Sequence, residues 1–174
     1  MEASFSDTQY GQILAGLVRR VQAISTAKGF HFTVKPESVQ VDPANPFTVN
    51  EADCPWFLIE PDLGGQRQWL PANQAEDTFP VLITGRLIAA GTDPFRKMGL
   101  AFNAYGDLEK ALTHEPTSPF YPAAASLEMT MGGVAIDIRC QPIEPPPIPG
   151  FGDDQNVFVL MKVDVHYIRS YGSP

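Results

Sequence analysis

Residues 81–90 (VLITGRLIAA) constrain the fold more than any other part of the chain, because they are apolar on both sides of an extended backbone. Only Thr84 and Arg86 depart from that pattern. Strands with one face in water alternate apolar and polar residues, whereas strands covered on both faces are apolar almost throughout. The sequence therefore predicts that residues 81–90 form a central strand in a sheet that is covered on both sides.

The beginning of the chain has the periodicity of an amphipathic helix over residues 7–28. Apolar side chains recur every three or four positions, at Tyr10, Ile13, Leu14, Leu17, Val18, Val21 and Ile24. Ser6 and Gln9 have the spacing of a capping box, and Lys28 followed by Gly29 is typical of a helix end. This pattern predicts one long surface helix.

A second helix is predicted to follow Asp93 and Pro94, which suit the N-cap and the first helical position. Its apolar positions have helical spacing and are Phe95, Met98, Phe102, Tyr105, Leu108 and Leu112. We expect this face and that of the first helix to pack on the sheet. The residues predicted to be nearly fully buried are Leu17, Val21, Leu87, Phe102 and Val163.

The other apolar segments alternate or form compact runs, which predicts strands. The predicted strands are residues 30–34, 56–60, 66–70, 81–90, 134–140 and 157–168. Residues 61–79 are expected to make a long excursion around the strand at 66–70. Loops are predicted at residues 42–54, at 115–133, and around the proline-rich insert 142–149, and the chain has 17 prolines. The order of elements predicts an α+β fold. We expect a single domain, 1–174, with a mostly antiparallel or mixed sheet packed against two main helices.

Composition excludes several classes of protein. No apolar run approaches the roughly 20 residues that a membrane helix requires, so no membrane association is expected. The first ten residues lack the pattern of a signal peptide, and two cysteines cannot form a disulfide framework, which favours folding in the cytoplasm. A net charge of −8 argues against binding nucleic acid through its phosphates.

No catalytic, cofactor-binding or metal site is predicted. The three histidines have no metal-ligand spacing, and Cys54 has no basic neighbour that would activate its thiol. Cys140 falls on the apolar face of its predicted strand and is interpreted as a small buried hydrophobic residue. The acid pairs Glu76-Asp77 and Asp153-Asp154 have the chemistry to bind a hard cation or to transfer protons. Adjacent carboxylates in loops are more often solvated, so we interpret both pairs as surface.

Four aromatic residues lie beside glycine or proline in predicted loops and are candidates for contacts with a partner. They are Trp69, Phe120, Tyr121 and Phe151. Aromatic side chains are enriched where proteins meet, although some loop aromatics fold back onto the core. The sequence chemistry therefore favours a part of an assembly over an enzyme.

The order of elements over nearly the whole chain resembles the tail terminator family of long-tailed bacteriophages, also called tail completion or minor tail proteins. The resemblance is carried by YGQILAGLVRRVQAIS, PWFLIEPD, FPVLITGRLIAA, DPFRKMGLAFNAYGDLEKAL and the closing VDVHYIRSYGSP. Within the second helix, the run Asp107, Leu108, Glu109, Lys110, Ala111, Leu112 is the most similar part. These are patterns of elements and hydrophobicity, and the insert at 142–149 is longer than the family leads us to expect.

The resemblance implies a virion protein that assembles in the host bacterial cytoplasm. Six copies would form a homo-hexameric ring that caps the tail tube, ends its growth and offers a surface to the neck or head-completion protein. The tail tube protein and the neck protein are the implied partners, and DNA would pass through the channel without specific binding. No catalytic residue and no cofactor are implied.

The acids of residues 36–80 suggest a role in such a ring. This window holds eight acids and one base, Arg67. Either it is a solvated surface, or part of it lines the channel and repels DNA, or it docks onto basic patches of a partner. The candidate lumen or docking acids are Asp53, Glu76 and Asp77.

Two other functions remain open at this point. The nearer one is another connector of the phage neck, such as a head-closure or adaptor protein. The farther one is a small enzyme or ligand-binding domain that uses the loop carboxylates. A deep pocket holding Glu76, Asp77 or Asp153 would favour the latter.

Overall fold

The structure is a computed structural model that describes residues 8–41, 49–62, 65–70, 74–113, 134–143 and 155–170. Within these ranges the chain forms two α-helices and six strands. The helices are α1 (Gln9–Gln22) and α2 (Pro94–Thr113). The strands are β1 (Val39–Gln40), β2 (Trp56–Pro61), β3 (Arg67–Leu70), β4 (Gln74–Ile88), β5 (Asp137–Pro142) and β6 (Asn156–Ser170).

The six strands form one mixed sheet, in which five strands follow the order β1-β2-β4-β6-β5 and β3 pairs with β4 outside that order. β1 and β2 are parallel, and all the other pairs are antiparallel. β6 pairs with β4 along its whole length, from Gln74↔Ser170 to Ile88↔Asn156. The other side of β4 is shared by β2 and β3. The predicted α+β class with two helices on a sheet is confirmed, and so is the central position of the apolar strand.

Both helices cover the same face of the sheet, because alternate residues of β4 and β6 share one core cluster with residues of the helices. Leu17, Val21, Leu87 and Val163 are buried as predicted. On the opposite face Trp56 and Leu58 are buried, whereas Leu82, Thr84 and Ile88 of β4 are half-buried. The two helices are also joined to each other, since the buried Arg20 guanidinium of α1 donates to the Leu112 carbonyl in the last turn of α2.

The first helix is shorter than the predicted 7–28. The Thr8 side chain caps α1 by accepting from the Gly11 N–H at 3.0 Å, and Ser6 of the predicted capping box lies outside the described residues. After Gln22 the Ser25 side chain accepts from the Ala27 N–H and starts a short 3₁₀ helix. Serine and threonine side chains compete with helix hydrogen bonds in this way, which explains the early end.

Residues 30–34 do not form the predicted strand, although their burial does alternate. Phe30 and Val34 are buried, and His31 is exposed. Two of their backbone N–H groups donate to partners that are not in the sheet. The His31 N–H donates to Asp107 of α2 at 2.7 Å, and the Val34 N–H donates to the Ile24 carbonyl at 3.0 Å. The alternation therefore reflects packing under the helices without pairing in the sheet.

The predicted excursion over residues 61–79 is wrong in its second half, because β4 begins at Gln74. β3 matches the predicted strand at 66–70, and it pairs with the start of β4 from Leu70↔Gln74 to Arg67↔Asp77. The strand at 134–140 is shifted to β5, which begins at Asp137. The predicted loops at 42–54 and 115–133 and the insert 142–149 lie largely outside the described residues.

Candidate functional site

A large cavity lies beside the N-terminal turn of α1, where β2 ends and β3 and β4 meet. It measures about 620 Å³ and contains Asp77. Tyr10, Phe79 and Tyr167 form an aromatic wall: the Tyr10 ring centroid lies 5.1 Å from that of Phe79 and 5.8 Å from that of Tyr167. Pro61 lines the same cavity at the end of β2. We call this site the Asp77 cavity.

Two arginines from different strands hold the Asp77 carboxylate. Arg67 of β3 donates from Nε to Oδ1 at 2.7 Å and from its second guanidinium nitrogen to Oδ2 at 3.0 Å. On β6, Arg169 Nε lies 3.3 Å from Oδ2, and the Tyr167 hydroxyl donates to the same oxygen at 3.3 Å. The Arg67 hydrogen bonds lower the pKa of the Asp77 carboxyl, and the charge of Arg169 acts in the same direction against the effect of burial.

These partners determine which chemistry Asp77 can perform. A carboxylate with a lowered pKa that is held by two guanidinium groups stays ionised at neutral pH and is a poor proton donor. Its role is to anchor β3 and β6 to β4. The cavity beside it has apolar and aromatic walls, and the charged residues that line it are Asp62, Asp77 and Arg67. It is therefore suited to an uncharged or cationic aromatic group.

The structure does not bring the three predicted acids together. Glu76 and Asp77 are consecutive on β4 and so point to opposite faces of the sheet. Glu76 is half-buried on the face away from the helices and lies 3.1 Å from His166 Nδ1. Asp53 is exposed in a short 3₁₀ helix, Glu51–Asp53. The predicted loop around Glu76 and Asp77 is therefore part of a strand.

The side chains of the four aromatic residues that were predicted to contact a partner lie outside the described part of the structure. Trp69 lies in β3, and its backbone pairs with Ala75 of β4. The Trp69 side chain lies outside the described part of the structure, and so do the residues Phe120, Tyr121 and Phe151. Asp153 of the second acid pair also lies outside it.

A different apolar surface, on α2, was missed by the sequence analysis. Phe95 is 82% exposed, Met98 41% and Phe102 58%, so the predicted burial of Phe102 is wrong. These three side chains follow one line along the helix, and we call them the α2 stripe. The stripe is about a third of a turn away from Lys97, Ala101 and the other residues that α2 buries.

Small side chains explain why α2 buries the other face. Ala101, Ala104 and Ala111 are fully or almost fully buried. Alanine lets a helix approach its neighbours closely, so the face that carries these alanines, together with Leu108 and Leu112, packs inward. A matching signal was present in the sequence, because alanines recur at helical spacing along α2.

The remaining titratable residues have structural surroundings. Burial raises the pKa of the Cys140 thiol to about 12, and burial also raises that of Cys54, so both stay protonated. His31 Nδ1 lies 2.8 Å from Asp107, which also accepts from the His31 backbone. Among the described residues, no three His, Cys, Asp or Glu side chains are grouped as metal ligands. No helix in the described ranges combines the length and apolar composition needed to cross a bilayer.

Comparison of the sequence with models of known protein families and with curated proteins gave no match.

Proposed function

We propose that the protein is a structural subunit of a bacteriophage tail. Six copies form a ring that caps the tail tube, ends its growth and joins the tail to the neck or head-completion protein. The observation that carries this proposal is the α2 stripe. Single exposed apolar side chains are normal on a monomer, whereas Phe95, Met98 and Phe102 form a continuous line on one helix, which is typical of a contact surface.

The sheet supports the same proposal. β1 and β5 stand at the two ends of the strand order, β3 also lies at an edge beside β4, and β5 carries Arg139 and Gln141 as exposed residues. Short edge strands with charged side chains discourage uncontrolled pairing between sheets. In the proposed ring the subunits therefore meet through helix surfaces, and the partners are another copy, the tail tube protein and the neck protein.

The predicted lumen or docking acids have different roles in this proposed function. Asp53 is exposed and Glu76 is partly exposed, whereas Asp77 is occupied by Arg67 and Arg169. We therefore assign the lumen or docking role to Asp53 and Glu76 and a structural role to Asp77. Negative charge facing the channel would let DNA pass without binding.

Asp53→Lys should slow DNA ejection from complete particles, and Asp53→Asn should slow it less. Failed attachment to the tube would instead identify Asp53 as a docking residue.

The decisive experiment removes the protein from tail assembly. Tubes assembled without it should have uncontrolled lengths, and supplying the wild-type protein should restore one length, as measured by electron microscopy. Native mass spectrometry of assembled tails should detect six copies at one end of the tube. Normal tube lengths in the absence of the protein would refute the proposal, and wild-type protein located at the neck alone would favour a head-closure or adaptor role.

A ligand-binding domain is the second candidate function, and the observation that favours it is the Asp77 cavity. Its volume of about 620 Å³ is within the range of small-molecule sites. Small uncharged aromatic compounds should then shift the NMR signals of Tyr10 and Tyr167, and Phe79→Ala should reduce those shifts. A lack of shifts at millimolar ligand would count against this candidate.

A further inference from the structure

We propose that neighbouring subunits associate head to tail, with the α2 stripe of one copy seated in a groove on α1 of the next copy. This inference rests on the proposed ring function and identifies the contact that closes the ring. The groove measures about 320 Å³ and is lined by Gly11, Leu14, Ala15, Val18 and Val41, and we call it the α1 groove.

The two surfaces are complementary in shape and chemistry. Gly11 and Ala15 leave a depression on α1, whereas the α2 stripe carries two phenylalanines and a methionine that project from its helix. Both surfaces span eight residues, from Gly11 to Val18 and from Phe95 to Phe102, which corresponds to roughly 10 Å on each helix. Large side chains on one helix therefore match a row of small ones on the other.

Charge favours one orientation of the contact. Arg19 is exposed at the Val18 end of the α1 groove. Asp93 precedes the Phe95 end of the stripe, and its side chain is 49% exposed and only 3.8 Å from Arg96. An antiparallel arrangement, with Phe95 beside Val18, brings Asp93 opposite Arg19. The parallel arrangement brings Arg19 opposite the uncharged Asn103 and Gly106.

The size of the contact explains why ring closure can wait for the tube. With roughly 200 Å² for each fully exposed side chain, the α2 stripe offers roughly 350 Å², and the two surfaces together bury roughly 700 Å². Stable pairs bury about 1,200 Å² or more. Two free copies therefore associate weakly, whereas in a closed ring each copy has two neighbours and every contact reinforces the others.

We infer that the α1 groove binds a second copy of the same chain. Each chain carries both surfaces on different helices, so a contact between them is heterologous: it leaves one free stripe and one free groove at the ends of any open chain. An isologous dimer would instead pair stripe with stripe and leave the α1 groove open. Mixing experiments distinguish these two arrangements.

The test uses two variants that each disable one surface. The stripe variant is Phe95→Asp/Phe102→Asp, and the groove variant is Ala15→Arg, where Ala15 is exposed and a large side chain fills the depression. Ile136→Asp is the matched control, because Ile136 is 46% exposed and lies on neither helix. Circular dichroism and thermal unfolding first establish that the variants fold.

Association is then measured by sedimentation velocity at up to about 1 mM, where weak contacts become populated. Wild type and Ile136→Asp should form species larger than a dimer, and each surface variant alone should stay monomeric. The mixture of stripe and groove variants should stop at a 1:1 dimer, because only one intact contact remains. Self-association of either variant at the wild-type level, or a mixture that stays monomeric, would overturn the inference.

The orientation has its own test. Arg19→Gln and Asp93→Asn should each weaken association roughly 2- to 5-fold, the range of exposed ion pairs, and the double variant should be no weaker than the single ones. Asparagine keeps the helix cap, so Asp93→Asn changes only the charge. Additive losses would overturn the antiparallel arrangement.

The failure of this inference is distinct from that of the proposed function. If the stripe and groove variants still restore uniform tube length and still form sixfold rings on tubes, the ring function stands and the contact is wrong. If wild type has no effect on tube length but associates as described, the contact stands and the function is wrong.

Discussion

Gly85 lies in the middle of β4 at a point where no side chain fits. A Cβ atom there would lie 2.6 Å from Phe57 Cε1 and 2.6 Å from Val159 Cγ2. Carbon atoms in contact are normally about 3.5–4.0 Å apart, so both neighbours would have to move by roughly 1 Å. Phe57 and Val159 belong to adjacent strands and are buried in the core, which leaves them little room.

We therefore expect Gly85→Ala to destabilise the protein. Overpacking in a core costs about 1–3 kcal/mol, and two simultaneous contacts favour the upper part of that range. Alanine also restricts the unfolded chain, which returns up to about 1 kcal/mol. The expected net loss is about 2 kcal/mol in the free energy of unfolding, measured by urea denaturation with an unchanged dependence on denaturant.

Gly99→Ala is the matched control. Gly99 lies within α2, and a Cβ atom there meets no atom within 4 Å apart from its chain neighbours and the backbone of its own helix. Because alanine favours the helix over glycine by about 1 kcal/mol, the same change should stabilise the protein at this position. Gly85→Ala combined with Val159→Ala should lose less than the sum of the two single variants. A Gly85→Ala variant as stable as Gly99→Ala would refute the packing argument.

Three further perturbations address the core and its buried carboxylates. Leu17→Ala should cost about 2–5 kcal/mol of unfolding free energy, because Leu17 is fully buried, and a loss below about 0.5 kcal/mol would contradict its place in the core. Asp77→Asn should destabilise at neutral pH, and Arg67→Gln should behave similarly. The pKa of the Asp77 carboxyl is lowered in the folded protein. The stabilisation that Asp77 contributes is therefore present above the ordinary pKa of about 3.9 and is lost as the pH falls through the folded pKa. The difference in unfolding free energy between wild type and Asp77→Asn should shrink between about pH 5 and pH 2 in urea titrations. An equal difference at every pH would contradict this. Asp107→Asn should speed amide exchange at His31, whose N–H donates to that carboxylate, and unchanged exchange would show that the contact is unimportant.

The fold could be predicted from the sequence wherever burial alone decides the pattern. Val163, Val165 and Tyr167 alternate with polar residues, and that alternation places them on the covered face of β6. Leu17 and Val21 are likewise placed by their helical spacing. These residues are buried by any arrangement that covers their own element, so no knowledge of the partner is needed.

The candidate site could not be predicted in the same way, because it depends on which surface of an element meets a partner. The apolar spacing on α2 predicts a helix, but it does not reveal that the face with Ala104 packs inward and Phe102 points outward. The start of β4 at Gln74 could not be recognised from the sequence for a similar reason. Asp77 looks like a loop residue until Arg169, far along the chain, supplies its counter-charge.

The long pairing of β4 with β6 has a consequence for the order in which the chain folds. The residues that it brings together are 68 to 96 positions apart, from Ile88 with Asn156 to Gln74 with Ser170. Such distant contacts require a large loss of chain entropy before they contribute any stability, and domains built on them fold in milliseconds to seconds. By contrast, β3 and the start of β4 are neighbours along the chain and can pair early. During that interval β4 has an unpaired side, so an incompletely folded chain is most exposed to intermolecular strand pairing along this strand.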